Sequence, residues 1–118
     1  MISGINLCET IDYILTDSKE SKDNPTIWKL GMIPSYVYSK IQSGENRTDA
    51  GFQLCQVGIK GWQNLKDVEF KTEKIKIGMM EVEQVPLDLL SRIPERFLAE
   101  LSVKIQQMNN LTEDEAKN

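Results

Sequence analysis

At 118 residues the chain is long enough for one hydrophobic core and too short for two independent ones. Hydrophobic residues make up 40% of it and charged residues 27%, proportions that exclude wholesale disorder. The net charge of -4 is shared evenly, with 5 basic against 7 acidic residues in 1 to 59 and 9 against 11 in 60 to 118, so neither half has the basic footprint of a phosphate-binding surface and no nucleic-acid partner is expected.

The opening "MISGINLCET" lacks both the cationic start and the apolar run of a secretory signal. No window approaches the roughly 18 apolar residues of a membrane span. The expectation is a cytoplasmic chain with no membrane partner. In a reducing compartment Cys8 and Cys55 are expected to be free thiols.

"CETIDYILT" (8 to 16) sets Ile11, Tyr13 and Leu15 on one face with Ile14 off it, which suits a short strand and also fits a helical turn or two. "DSKESKDNP" is polar and proline-terminated, a loop. "TIWKLGMI" alternates Trp28, Leu30 and Met32 against Ile27, Lys29 and Gly31, the pattern of a strand with one apolar face. Pro34 ends it and opens a short helix with Tyr36, Val37 and Ile41, followed by a second loop, "QSGENRTD".

Phe52, Cys55, Ile59 and Trp62 then follow an i, i+3, i+7, i+10 pattern, and the spacing predicts a helix capped by Thr48 or Asp49. Gly51, Gly58 and Gly61 oppose that helix, and Cys55, Val57 and Ile59 would equally make one face of a strand. From Asp67 to Val85 charged and apolar residues alternate, the period of half-buried antiparallel strands, read as two strands or as one with a bulge at Gly78.

Pro86 starts a short apolar turn. Pro94 starts the clearest helix, with Phe97, Leu98, Leu101, Ile105 and Met108 on one side and Asn109 or Asn110 as its terminator. Thr112 and Glu115 make a capping-box pattern within a polar tail, 111 to 118, that follows a single globular domain spanning 1 to 110. The fold class expected is α+β, a mostly antiparallel sheet from the N-terminal, 26 to 33 and 67 to 85 segments. The Trp62 segment and the C-terminal amphipathic helix pack on one face of it.

The chain contains no histidine, so the commonest general base and metal ligand are both missing. Cys8 and Cys55 are too far apart for a CxxC motif, and neither a phosphate loop nor a GxSxG elbow occurs. A Cys55 thiolate or a carboxylate pair drawn from Glu9, Asp12, Asp67 and Glu69 are the remaining catalytic routes. An apolar setting for Cys55 and ordinary surface positions for the carboxylates argue against both. The expectation is a protein that is not an enzyme, with no catalytic residues, cofactor or metal.

Four residues are candidates for a partner interface: Trp62, Trp28, Met79 and Met80. Tryptophan is the typical anchor of an interface, yet it equally plugs the core of a small domain, so Trp62 is read as core first and anchor second. Met79 and Met80 are adjacent, so a strand sends them to opposite faces and one is expected at the surface. Asn64 and Lys60 are placed as terminators of the Trp62 segment.

The segments "DNPTIWKLG" (23 to 31), "GIKGWQNLKD" (58 to 67) and "FLAELSVKIQQMNNLTEDEAKN" (97 to 118) together resemble a group of small tailed-bacteriophage proteins encoded in head and tail morphogenesis modules. The chain departs from that pattern after "NLKD", where "VEFKT" follows directly in place of a glycine-bearing turn. The resemblance implies a viral assembly or virion component acting by protein contact on a phage structural or assembly protein, in the infected host's cytoplasm or in the virion. It would be either a tail-assembly chaperone or a head or neck accessory protein. A phage-encoded inhibitor of a host defence or host enzyme is the alternative implied by small size and acidity. A homo-oligomer through an exposed strand edge is compatible with the pattern.

Overall fold

The computed structural model describes residues 4, 6–16, 25–43 and 47–117, with the backbone alone for 47, 48 and 110–117. The fold is α+β. Its elements run β1 (Thr10–Tyr13), β2 (Ile27–Gly31), α1 (Ser35–Gln42), α2 (Arg47–Gly58), β3 (Ile59–Gln63), β4 (Glu73–Ile77), β5 (Met80–Gln84), α3 (Leu87–Leu90) and α4 (Glu95–Lys117). Strands β1, β2 and β3 form one antiparallel sheet with β2 in the centre, and β4 and β5 form a separate antiparallel hairpin.

Apolar alternation places β2 in the middle of its sheet. Trp28, Leu30 and Met32 are buried, and the register pairs Tyr13 with Trp28 and Ile11 with Leu30, so the apolar residues of β1 and β2 share one face. Against this face stand Val37 and Ile41 from α1, Leu54, Cys55 and Val57 from α2, and Leu98, Leu101 and Ile105 from α4. Prolines set the helix starts. Pro34 and Pro86 are the residues before α1 and α3, and the Pro94 carbonyl accepts from the Phe97 and Leu98 amides at the start of α4.

The structure corrects three expectations. The helix predicted to carry Trp62 ends at Gly58, and Ile59–Gln63 is a strand paired with β2. The pairing gives the backbone of β2 a partner on its second side, an arrangement that the N–H and C=O groups of a central strand require. The sheet therefore contains the Trp62 segment, and the 73 to 84 hairpin stands apart from it. Asn109 and Asn110 do not end the last helix, which continues to Lys117. The Asn109 side chain instead accepts from the Ile33 amide at 3.3 Å and donates to the Ile105 carbonyl at 2.8 Å, tying α4 to the end of β2. Of the two caps expected for α2, the Thr48 side chain lies outside the described residues and Asp49 sits within the first turn of the helix, which begins at Arg47.

The hairpin is fastened at both ends. At its base, Gln56 of α2 accepts the Val85 amide on its backbone carbonyl at 2.8 Å and donates its side-chain Nε2 to the Val85 carbonyl at 3.0 Å. At its tip, the turn Gly78-Met79 rests on α1, where the Tyr36 hydroxyl accepts the Met79 amide at 3.1 Å. Gly78 has φ +60, and a Cβ there would collide with the Tyr36 hydroxyl, so conformation and space both require glycine.

Candidate functional site

Trp62 lies on β3 directly opposite Trp28, and the rings meet edge to face at 5.7 Å. Phe70 meets the other side of Trp62 at 4.9 Å and 88°, while the indole Nε1 donates to the Val68 carbonyl at 2.9 Å. Trp62 is half-buried and satisfied within its own chain. Trp28 is 1% exposed and offers no surface to a partner. Its indole N–H is buried without an acceptor among the described residues, an arrangement that costs about 1 to 3 kcal/mol.

The chain from 64 to 70 wraps beneath Trp62 through two left-handed residues, Asn64 (φ 63) and Asp67 (φ 65). Asn64 also donates to the Pro25 carbonyl at 3.2 Å and accepts from the Thr26 hydroxyl at 2.9 Å, so it ends β3 as expected. Asp67 provides, without glycine, the turn missing after "NLKD"; Asn and Asp tolerate this region better than other side chains. Lys60 is the extra residue of a bulge between β2 and β3. Its ammonium is held below the usual lysine range by desolvation, partly offset by Glu83.

The two methionines separate. Met80 packs against the core, whereas Met79 at the hairpin tip is 85% exposed. The hairpin behind it has a charged outer face, with Lys74 opposite Glu83 and Lys76 opposite Glu81. Its inner residues Ile77, Met80 and Val82 pack on the body. Met79 is thus an apolar knob on a braced arm.

A second surface feature surrounds Phe52 of α2. Three adjoining hollows of about 370, 220 and 390 Å³ all include this ring. Leu87 and Ser91 line one side, Leu98 and Ala99 of α4 the other, with Gly51 between. Leu87 is 54% exposed, and among the described residues nothing lies within 4 Å of where a Gly51 Cβ would stand. Asp49 and Glu95 line the groove together with Arg92. Sequence reasoning placed Phe52 on a buried face and missed this groove. The available signal was the pair of small residues, Gly51 and Ala99, on two neighbouring helices.

The sequence's catalytic candidates do not converge. Cys55 is buried, its Sγ lies 3.4 Å from the Leu98 carbonyl, and desolvation pushes its thiol up to about 12. Asp12 lies 4.0 Å from Lys29 on the outer face of the sheet. Among the described residues, no group of three or more His, Cys, Asp or Glu could hold a metal ion, and no helix is long and apolar enough to cross a membrane.

The class defined by this geometry is a small α+β domain with a braced apolar hairpin tip and an open groove of mixed polar and apolar lining. No protein-family model, curated protein or solved structure matches the chain.

Proposed function

We propose that the chain works by protein contact, as a component or chaperone of bacteriophage particle assembly. The observation that carries the contact reading is Met79, an exposed methionine on a turn fixed by Tyr36. A flexible thioether suits an adaptable protein surface, and holding its backbone in place reduces the ordering cost of binding. The viral part of the reading rests on the three segments that resemble small phage morphogenesis proteins. The particular role, tail-assembly chaperone or head or neck accessory protein, belongs to the same proposal.

The test is quantitative mass spectrometry of purified virions and of infected-cell lysate from the encoding phage, with and without Met79→Glu. Stoichiometric recovery in virions supports a structural component, and recovery only in lysate bound to a virion protein supports a chaperone. Either result is expected to come with a lower particle titre for Met79→Glu. Recovery in neither fraction, or an unchanged titre for the variant, overturns the reading.

A further inference from the structure

Among the described residues, the hairpin tip and the Phe52 groove are two uncovered surface features of opposite shape, one an exposed methionine and the other a hollow in which Phe52, Leu87 and Leu98 stand among polar side chains. The tip cannot reach the groove of its own chain. The base of the hairpin is bound to Gln56 at Val85, two residues before Leu87 of the groove, while the tip is bound to Tyr36 at the far end. The strand between them spans about 20 Å at roughly 3.3 Å per residue. Any contact between knob and groove is therefore between molecules.

Charge favours the same pairing. Lys40, 5.7 Å from the Tyr36 ring, and Lys76 flank the tip, and Glu81 opposite Lys76 leaves an excess of positive charge there. Asp49 and Glu95 line the groove, and Arg92 leaves an excess of negative charge. The 370 Å³ hollow beside Phe52 and Leu87, lined also by Asp49, Gln53, Gln56 and Ser91, is an open depression with room for a flexible side chain such as methionine.

We infer that the occupant of the Phe52 groove is the Met79 hairpin tip of a second copy of this chain, so that copies associate head to tail. This names a partner for the contact surface of the proposed function and rests on that reading. A contact between two different patches is heterologous. It leaves a free knob at one end and a free groove at the other, and so extends into a ring or filament rather than stopping at two.

The test uses sedimentation equilibrium of the full chain over a range of concentrations, with Met79→Glu as the knob variant and Ala99→Arg as the groove variant. Both positions are exposed, and circular dichroism verifies their folding. The wild type is expected to rise in average mass beyond a dimer as concentration increases. Each variant alone should stay monomeric, and an equimolar mixture should form a 1:1 pair that grows no further, because one intact knob meets one intact groove. A wild type that stays monomeric, a Met79→Glu variant that still associates, or a mixture that stays monomeric overturns the inference. Those failures leave the protein-contact reading to the virion measurement, which does not depend on self-association.

Discussion

Tyr13 and Glu100, 87 residues apart, are joined by a hydrogen bond of 2.6 Å from the phenol to the carboxylate. The same carboxylate accepts the Thr16 amide at 2.9 Å and the Thr16 hydroxyl at 3.0 Å, so a single side chain of α4 holds the end of β1. Lys104, one turn further on, lies 5.7 Å from the Tyr13 ring. Desolvation alone would raise the Glu100 carboxyl, but the hydrogen bonds from Tyr13 and Thr16 outweigh it and hold it below the usual range. Tyr13 is pushed up to about 12, first by its bond to Glu100, then by desolvation and the carboxylate charge.

These shifts bracket a pH window. A depressed carboxylate contributes stability above its ordinary range and loses it as pH falls through the folded value. A raised phenol contributes below 10 and loses its contribution as pH rises toward about 12. Glu100→Gln should therefore be less stable than wild type by about 1 kcal/mol at neutral pH, with exposure to solvent keeping the loss small. Urea denaturation of both proteins across pH should show the gap closing at the acid and alkaline ends. A gap constant with pH would show that the latch does not titrate.

The two thiols should differ sharply in reactivity. Cys8 is exposed, whereas Cys55 is buried with its thiol pushed up to about 12, so almost none of it is thiolate at neutral pH. A thiol-reactive chromogenic reagent should titrate one group at once in the native protein and the second only after denaturation. Rapid modification of both would show that the α2 and α4 packing opens on the timescale of the reaction.

Trp62 is expected to matter for stability. Trp62→Ala removes the edge contacts with Trp28 and Phe70 and the Nε1 bond to Val68, a loss of about 3 kcal/mol. Trp62→Phe keeps an aromatic ring and gives up the hydrogen bond, about 1 kcal/mol. Chemical denaturation followed by circular dichroism separates the two. Equal losses would mean that the hydrogen bond, rather than the rings, carries the residue's contribution.

Trp62 also illustrates what the sequence conceals. Ile59 and Trp62 are three residues apart, a spacing that reads as one face of a helix. In the sheet they share a face because the Lys60 bulge adds a residue between them: Leu30 pairs with Ile59 and Trp28 with Trp62. A bulged strand and a helical turn give the same spacing, and only the partner strand distinguishes them. Where no bulge intervened, the period was legible. Trp28, Leu30 and Met32 are buried as their alternation predicts, and Leu98, Leu101 and Ile105 form the buried stripe of α4. Asn109 looked like a stop because asparagine often ends helices, but a tertiary bond to Ile33 gives it another role. The groove was hidden for a related reason, since it forms between Phe52 on one helix and Ala99 on another, and no single segment encodes it.

The crossing of α2 and α4 provides the most specific packing prediction. A Cβ on Gly58 would stand 2.7 Å from the Ile105 Cδ1, closer than two carbons can approach, so the helices meet here because position 58 has no side chain. Gly58→Ala should gain nothing from its better helix propensity and should destabilise by about 1 to 3 kcal/mol through overpacking. Ile105→Ala removes all three carbons that such a Cβ would meet, Cδ1 at 2.7 Å, Cγ2 at 2.8 Å and Cγ1 at 3.0 Å, and by itself should cost about 2 to 5 kcal/mol. Combined, the methyl added at position 58 fills part of the space vacated at 105, so the double variant should be more stable than the sum of the single losses predicts, with a coupling on the order of 1 kcal/mol. Denaturation midpoints of the four proteins close the cycle. Strict additivity would show that the two positions do not touch and that another contact sets the spacing of α2 and α4.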